Sequence, residues 1–447
     1  MLGPLSRMLL RAYRPGRMSA LDRLLPAQWV APAGQVEVSA SLVGDLLRHA
    51  CMAVPFYREF AREQGLDPSR LTPADLPRFP LVDKRILQDR PDRFLDSGAP
   101  PEDLVPNFTG GSSGVPFRFF SDRRALEERK ANDMRGRTWT GWKPGDKQAV
   151  LWAHPRDNRE SRSLRGRVLA TYVHRTRTLN AYDMDAATIE AFHRELKAYR
   201  PAMMLGFSSS LAFLAEYLTR HGLDLPAPRG IIASAETLTP EHRAAIEACF
   251  GCKVLNRYGS REFGVMAQQC EQVGGLHVFT DQVHLEILRP DGAPCAPGER
   301  GEIVVTDLLN RAMPFIRYRT GDVAVPGEGA CPCGRGFPLL ASVEGRTSEL
   351  LVGRNGKFYS CLGPRFFGHD IEGIGQMQVL QESLDLVVLK IVRGPEWTDE
   401  NVGKLTGRLA DLLGGVAVEF VYVDAIPPAP SGKFPFTISK VSPFGGR

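Results

Sequence analysis

Six consecutive residues, Thr109, Gly110, Gly111, Ser112, Ser113 and Gly114, are all small or hydroxylic, and an apolar Val-Pro-Phe follows them. Such a run cannot pack a core or hold a helix. Glycines let backbone N–H groups turn inward without a Cβ in the way, and hydroxyls add donors. The chemistry this composition suits is the wrapping of an anion, most often a polyphosphate. A Walker loop would end in Gly-Lys-Ser/Thr. Here Val115 follows Gly114, so a P-loop hydrolase is not expected. A flexible linker shares the composition, and the segment gains weight only from its company.

That company is four later stretches. "LNRYGSREFG" places Tyr258 and Glu262 four residues apart at the end of a strand pattern. "IRYRTGD" puts Asp322 at a turn after another strand, and "VEGRTSEL" follows with Arg346. "PAPSGKFPF" offers Lys433 on a Pro/Gly-rich loop near the C-terminus. Each is short, but their order is fixed and their spacing is that of domains.

The cysteines suggest a second kind of chemistry. Cys331 and Cys333 form Cys-Pro-Cys-Gly, and upstream lie Cys270 and, seven residues on, His277. Three thiolates and an imidazole fit a tetrahedral structural zinc site, closed off from substrate. A rival pair, Cys249 and Cys252, has C-x-x-C spacing and could join Cys331 and Cys333, or act as a redox pair. Cys249 falls at helical spacing on an apolar face, which favours a packed structural cysteine.

Elements must position these groups. "LVGDLLRHACMAVPFYREFAREQG" has helical periodicity, and a Pro-punctuated connection follows. After the glycine segment, "DRRALEERKANDMRGRTWTGW" reads as a helix and "QAVLWAH" as a buried strand. Next come a helix stopped by Pro201, the strand "AMMLGF", a serine-capped helix "SSSLAFLAEYLTRHG", the strand "RGIIASAE", a capped helix "TPEHRAAIEACFG" and the strand "KVLNRYGS". This alternation predicts an α/β fold with a parallel sheet covered on both faces. From about 276 to 345 the pattern changes to β-hairpins, a β-rich subdomain. The remainder reads as a small α+β unit with "LDLVVLKIV", the helix "TDENVGKLTGRLADLLG" and "VAVEFVYV". The expected domains are 1–345 and 346–447.

At 447 residues the chain is too long for one ordinary domain. A net charge of +5 is too small for this length to argue for nucleic acid or an anionic membrane as partner. No run of 18 apolar residues exists, so no membrane span is expected. The first twenty residues hold Arg7, Arg11, Arg14 and Arg17 and no acid; a basic surface helix is preferred over a transit peptide. Eight cysteines are not a disulfide scaffold at this length, and a cytoplasmic protein is expected.

Taken in order, the glycine segment, "LNRYGSREFG", "IRYRTGD", "VEGRTSEL" and "PAPSGKFPF" resemble the adenylate-forming acyl-CoA synthetase superfamily. More narrowly the chain resembles the phenylacetate–coenzyme A ligase family, in a CapK-like branch whose pattern is similar to "TDLLNRAMPFIRYRTGD". The resemblance covers about residues 40 to 440. It implies a large α/β domain and a small mobile C-terminal α+β lid. It also implies two-step chemistry: a carboxylate attacks the α-phosphate of ATP, then a thiol takes the acyl group and AMP leaves.

Carried onto this sequence, Thr109 to Gly114 would cradle the β- and γ-phosphates. The family often has a lysine where Val115 stands, and Arg118 would have to supply the charge. Glu262 would hold Mg²⁺, which keeps few carboxylate ligands and several waters. Tyr258, with Gly259 and Ser260, would wall the adenine, and Ser234, Ala235 and Glu236 of "ASAETL" resemble its second wall. Asp322 would accept both ribose hydroxyls and Arg346 would lie at the domain junction. The usual aspartate pair after that arginine is Ser348 and Glu349 here, which leaves the hinge residue open. Lys433 would meet the α-phosphate, with Lys440 as its rival. The "C…GLH…CPCGR" pattern also matches family members, where it resembles a structural metal clip.

ATP, Mg²⁺, coenzyme A and a structural Zn²⁺ are thus the expected cofactors. The expected partners are a small carboxylic acid, a carrier protein in the second reading, and a second copy of the chain. That second reading keeps the adenylate but hands the acyl group to a carrier thiol, an amine or a sugar. A third is an inactive nucleotide-binding scaffold, against which Glu262, Asp322 and Lys433 stand. Trp152, His154, Phe207 and Ser208 are candidate pocket walls; no acid can be named from them.

Overall fold

The computed structural model of the chain describes residues 2–108, 118–152, 163–181, 184, 186–346, 351–354, 358–359, 371–427 and 436–441. Prolines punctuate its helical start. Helix α1 (Leu2–Tyr13), α2 (Pro15–Ala27), α3 (Pro32–Ala53) and α4 (Pro55–Glu63) follow one another, and the last three each begin with proline. Proline suits the first helical position because its missing N–H would be unpaired there. Pro55 also holds Val54 extended (φ −102°, ψ 120°), and so ends α3. Val43, Leu46, Leu47 and Ala50 form the buried stripe of α3. The basic start packs against the protein: Arg17 of α2 pairs with Glu127 at 2.9 Å.

After α5 (Lys84–Asp89), strands β1 (Leu104–Phe108) and β2 (Arg118–Asp122) form a separate antiparallel pair. Helix α6 (Arg123–Thr138) follows, capped by Asp122, whose carboxylate accepts the Ala125 N–H at 2.7 Å. The alternating region supplies β3 (Gln148–Leu151), α7 (Leu164–Val168), a π-helical turn (Leu169–Val173), β4 (Thr176–Leu179), α8 (Ala186–Tyr199), β5 (Met203–Phe207), α9 (Ser208–Arg220), β6 (Gly230–Ser234), α10 (Pro240–Phe250) and β7 (Val254–Ser260). Strands β4, β3, β5, β6 and β7 pair in parallel. Every residue of β5 and β6 is buried, as two covered faces require. Helix α10 has the cap its sequence predicts, with Thr239 Oγ1 accepting the His242 N–H, and it ends at Gly251 with φ +63°, a left-handed turn that favours glycine.

The β-rich region joins the parallel strands in one sheet. Strand β8 (Gly264–Gln269) turns back on β7 after three residues, which forces antiparallel pairing. The chain then adds β9 (Leu276–Val278), β10 (Val283–Leu288), β11 (Gly301–Asp307), β12 (Tyr318–Pro326) and β13 (Leu339–Arg346) to the same sheet. The result is one eleven-stranded sheet ordered β10-β11-β12-β13-β9-β8-β7-β6-β5-β3-β4. One expectation changes, at α9, where the serines lie inside the first turn and make no side-chain cap. Glu236, from beyond β6, accepts from the Ser209 N–H (3.0 Å) and hydroxyl (2.6 Å) instead. A carboxylate there also meets the positive end of the helix.

The C-terminal part has its own core. Strands β14 (Leu351–Val352) and β15 (Phe358–Tyr359) pair, and β16 (Ile374–Gln381), β17 (Leu386–Arg393), β18 (Ala417–Tyr422) and β19 (Thr437–Ser439) form a sheet ordered β18-β17-β16-β19. Helix α11 (Glu400–Leu413) crosses between parallel β17 and β18 and buries Leu405, Leu409 and Leu413 against Met377, Val379 and Leu389. No described helix is long and apolar enough to cross a membrane.

Candidate active site and metal centre

The parallel strands end together. In register, Phe207 of β5 faces Ser234 of β6, and Ser234 faces Arg257 of β7. Ligands of open α/β sheets gather beyond such carboxyl ends. Ala235, next in line, has φ +67°, a left-handed conformation that costs a residue with a Cβ about 1 kcal/mol or more. Of the predicted "ASAETL" wall, Ser234 is buried, Ala235 carries this strain, and Glu236 is engaged with Ser209.

Tyr258 and Asp322 lie 64 residues apart in sequence, yet the tyrosine hydroxyl donates to Asp322 Oδ2 at 2.6 Å. Both side chains are half-buried. Asp322 of β12 pairs in register with Arg346 of β13, and its N–H donates to Thr320 Oγ1. Tyr258, Asp322 and the Arg346 backbone thus come together. Gly259 could be nothing larger, because a Cβ there would sit 2.4 Å from the Gly264 carbonyl oxygen. The β7–β8 turn is tied by Ser260 Oγ, which accepts the Phe263 N–H at 3.3 Å. Glu262 rides in this turn, half-buried.

Among the wall candidates, Trp152 and Phe207 stack with ring centroids 4.3 Å apart and planes at 19°. Ser208 is buried and its hydroxyl lies 3.1 Å from His242 Nδ1. Arg118 lies over the Phe120 ring, and Lys440 forms an ion pair with Glu382. Thr109 to Gly114, Val115, His154, Ser348, Glu349 and Lys433 lie outside the described residues, as does the Arg346 side chain.

Sequence reasoning missed what stands behind Tyr258. Arg257 is buried and bonds Asp133 of α6 at 2.6 Å. Burial alone would raise the Asp133 carboxyl, but Arg137 and Arg257 hold it well below the ordinary carboxylate range. No local signal could have joined positions 124 apart in the chain.

The sulfur cluster assembles too. Donor atoms of Cys270, His277, Cys331 and Cys333 all lie within 4.8 Å of one another. Cys270 Sγ is 3.6 Å from Cys331 Sγ, and Cys333 Sγ is 3.5 Å from His277 Nε2. A tetrahedral ion with ~2.3 Å bonds to sulfur needs donor spacings of about 3.8 Å. Cys270 lies just beyond β8, His277 sits within β9, and Cys331 and Cys333 are on the turn between β12 and β13. Burial pushes the Cys270 thiol up to about 12, so a cation rather than a proton would have to hold its charge. Burial would also raise Cys333, but N–H donation from Arg335 outweighs it and lowers that thiol. Burial and nearby Arg335 bring His277 down to about 4, which leaves a nitrogen lone pair for a ligand at neutral pH. The donor set fits a zinc ion. The alternative four-cysteine set does not form. Cys249 and Cys252 pack in the core on the α8–α10 face of the sheet, and Cys270, Cys331 and Cys333 pack in the core on the other.

Comparison with known proteins agrees with this geometry. A model of the AMP-binding enzyme family matches residues 165–308, and a model of the CapK C-terminal domain matches residues 365–440. These matches place the chain in the class of adenylate-forming enzymes. Curated relatives narrow it. The phenylacetate–coenzyme A ligase of Thermus thermophilus is 26% identical over 322 residues, 70% of this chain and 71% of that protein. That of Escherichia coli is 28% identical over 318 residues, 68% and 70% of the two chains. The chain is thus similar to phenylacetate–coenzyme A ligases over about 70% of its length, and to the CapK C-terminal domain over residues 365–440. Among solved structures, 2-hydroxyisobutyryl-CoA ligase in a postadenylation state superposes with a TM-score of 0.71 at 21% identity, covering 93% of this chain and 92% of that one. MatB of Rhodopseudomonas palustris with bound ATP gives 0.50 at 17% identity, covering 75% and 67%. These two likenesses speak for the fold.

Proposed function

We propose that this chain is an ATP-dependent acid–coenzyme A ligase working through an acyl adenylate. The acid's carboxylate oxygen attacks the α-phosphate of ATP and pyrophosphate leaves. The thiolate of coenzyme A then attacks the acyl carbon and AMP leaves, the thiol proton going to solvent. The observation that carries this is the Tyr258–Asp322 contact at the sheet's carboxyl edge. An aromatic face and a two-oxygen acceptor, held together, suit a nucleoside's base and its ribose hydroxyls.

In this reading Thr109 to Gly114 would take the β- and γ-phosphates and Glu262 would hold Mg²⁺, which would supply charge neutralisation at the phosphates. Ser234, Ala235 and Gly259 line the adenine with their backbone, and Lys433 neutralises charge at the α-phosphate. Residues 346–447 form the mobile lid, with Arg346 at its hinge. The Trp152–Phe207 stack favours an aromatic or other apolar acid, so phenylacetate is the first to try. The relatives' names point the same way. A zinc ion on Cys270, His277, Cys331 and Cys333 would clamp β8, β9 and the β12–β13 turn without touching substrate. Reduced cysteines throughout the described residues suit a cytoplasmic setting.

The test is ATP–pyrophosphate exchange over aryl, fatty, amino and hydroxy acids, with Lys433→Ala and Glu262→Ala as controls. Exchange that needs one acid class and falls at least about a hundredfold in both variants is expected. Exchange that survives in both variants sinks the assigned roles, and no exchange with any acid sinks the reading.

A further inference from the structure

A surface helix usually buries its apolar stripe and turns its polar side to water. Helix α1 departs from this. The residues it buries are Ser6, at 2% exposure, and Leu10. Pro4, Leu5, Met8, Leu9 and Ala12 are exposed, Met8 to 63%. Positions 4, 8 and 12 lie one above another with 5 and 9 beside them, so these side chains form one outward stripe. Arg7 and Arg11, also exposed, run along its flank.

The stripe has a neighbour. Helix α1 packs against the π-helical turn Leu169–Val173, and Tyr13 meets the His174 ring edge-on with 6.3 Å between centroids. Val168 and Tyr172, four residues apart at that turn, are exposed too, Tyr172 to 54%. Single exposed apolar residues are ordinary, but five large ones on two adjoining segments mark an interaction surface. This surface lies at the end of the sheet away from the candidate active site. Arg7 donates to the Pro144 carbonyl and Arg175 to the Gly145 carbonyl, shortly before β3, and His174 stands just before β4. The parallel strands start here, and the candidate site lies beyond their opposite ends.

Charge decides what covers it. Residues 2–21 hold four arginines and no acid, and residues 161–182 hold five arginines and no acid. Acids elsewhere meet some of them: Asp22 pairs with Arg11, Glu127 with Arg14 and Arg17, and Glu195 with Arg177. Arg7 and Arg175 bond neutral carbonyls, which leave their charges standing, and Arg167 is exposed. The whole-chain charge of +5 averages this local excess away. A second copy docked on the stripe about a two-fold axis would set arginines against arginines, which is unfavourable. We propose that α1 and the adjoining Val168 and Tyr172 form a docking face for a bilayer bearing anionic phospholipid headgroups. Leu5, Met8, Leu9, Val168 and Tyr172 enter the boundary between headgroups and acyl chains, and Arg7, Arg11 and Arg167 meet the phosphates. Tyrosine suits that boundary, with an apolar ring and a polar tip. The protein lies on the membrane and does not cross it, and its candidate site stays open to solution.

The experiment is co-sedimentation of the full chain with two kinds of vesicle, one of phosphatidylcholine alone and one of equal parts phosphatidylcholine and phosphatidylglycerol. Wild type is expected to bind the mixed vesicles at least about tenfold more tightly than the neutral ones, and less tightly as salt is raised. Met8→Glu sets a charge in the middle of the stripe and should weaken binding at least about tenfold. Arg7→Ala should weaken it about fivefold at low salt. Tyr172→Ser, on the other segment, should also weaken it. These side chains are exposed, so each variant should keep the wild-type melting temperature. Wild type that stays in the supernatant, or that binds both vesicles equally, overturns the proposal. So does a Met8→Glu protein that sediments as wild type does. Dimers in analytical ultracentrifugation that Met8→Glu splits, without vesicle binding, would give the face to a second copy and overturn the proposal as well.

Discussion

Asp322→Ala is the substitution whose outcome the site fixes most tightly. The carboxylate offers about four acceptor positions, and Tyr258 takes one of them, on Oδ2. The backbone N–H of Asp322 is held by Thr320 Oγ1, so the turn should keep its shape without the side chain. Two ribose hydroxyls would then lose a charged acceptor. A hydrogen bond to a charged group contributes about 1.5–3 kcal/mol, and half-burial lets water replace part of that. A net loss of roughly 2–4 kcal/mol corresponds to ATP binding weakened about 30- to 800-fold. The assay is calorimetric titration with ATP and with 2′,3′-dideoxy-ATP, which lacks both hydroxyls. Wild type should prefer ATP by about the same factor. Asp322→Ala should erase the preference and bind the dideoxy compound as wild type does. A folded Asp322→Ala protein that binds ATP normally, or that loses both ligands equally, refutes the ribose assignment. Tyr258→Phe removes only the bond to Oδ2 and should cost ATP less than about tenfold.

Purified protein should carry one zinc ion per chain by elemental analysis; Cys333→Ser should lose it and about 3 kcal/mol or more of stability, read as a lower melting temperature, which chelator reproduces in wild type. His174 supplies a pH dependence. Burial, then Arg17, Arg14, Arg137 and Lys130, bring its pKa from 6.5 down to about 4 in the folded protein. Between those values the unfolded chain binds the proton and the folded chain does not, so stability rises with pH there. The contribution is fully present above about 6.5 and is lost as pH falls toward 4. With a discount for partial exposure it amounts to about 2 kcal/mol, and His174→Asn should flatten urea-unfolding stability between pH 4 and 6.5 by that amount. Leu409→Ala empties part of the C-terminal core and should cost it about 2–5 kcal/mol. Hydrogen exchange should then quicken in β16 to β18 and stay unchanged in β5 and β6; equal quickening in both would argue against a separate C-terminal domain.

Much of this protein is local and therefore legible in its sequence. The buried parallel strands show as short apolar runs such as "AMMLGF", because covering both faces removes every reason for polar alternation. Helix α10 declares both ends, through Thr239 and Gly251, because capping is a matter of two or three neighbouring residues. The ordered motifs point to adenylate chemistry, and Cys270, His277, Cys331 and Cys333 declare a ligand set by residue type. Tertiary structure alone decided the rest. It closed 64 residues between Tyr258 and Asp322 to 2.6 Å, and it ruled the Cys249–Cys252 pair out of the metal centre by placing it across the sheet. It joined hairpins and parallel strands in one sheet through a three-residue turn after β7. It gave Glu236 to Ser209, Asp133 to Arg257 and Asn310 to β2. A buried polar group takes whichever partner the fold brings within hydrogen-bond reach, and sequence separation leaves no trace of that choice.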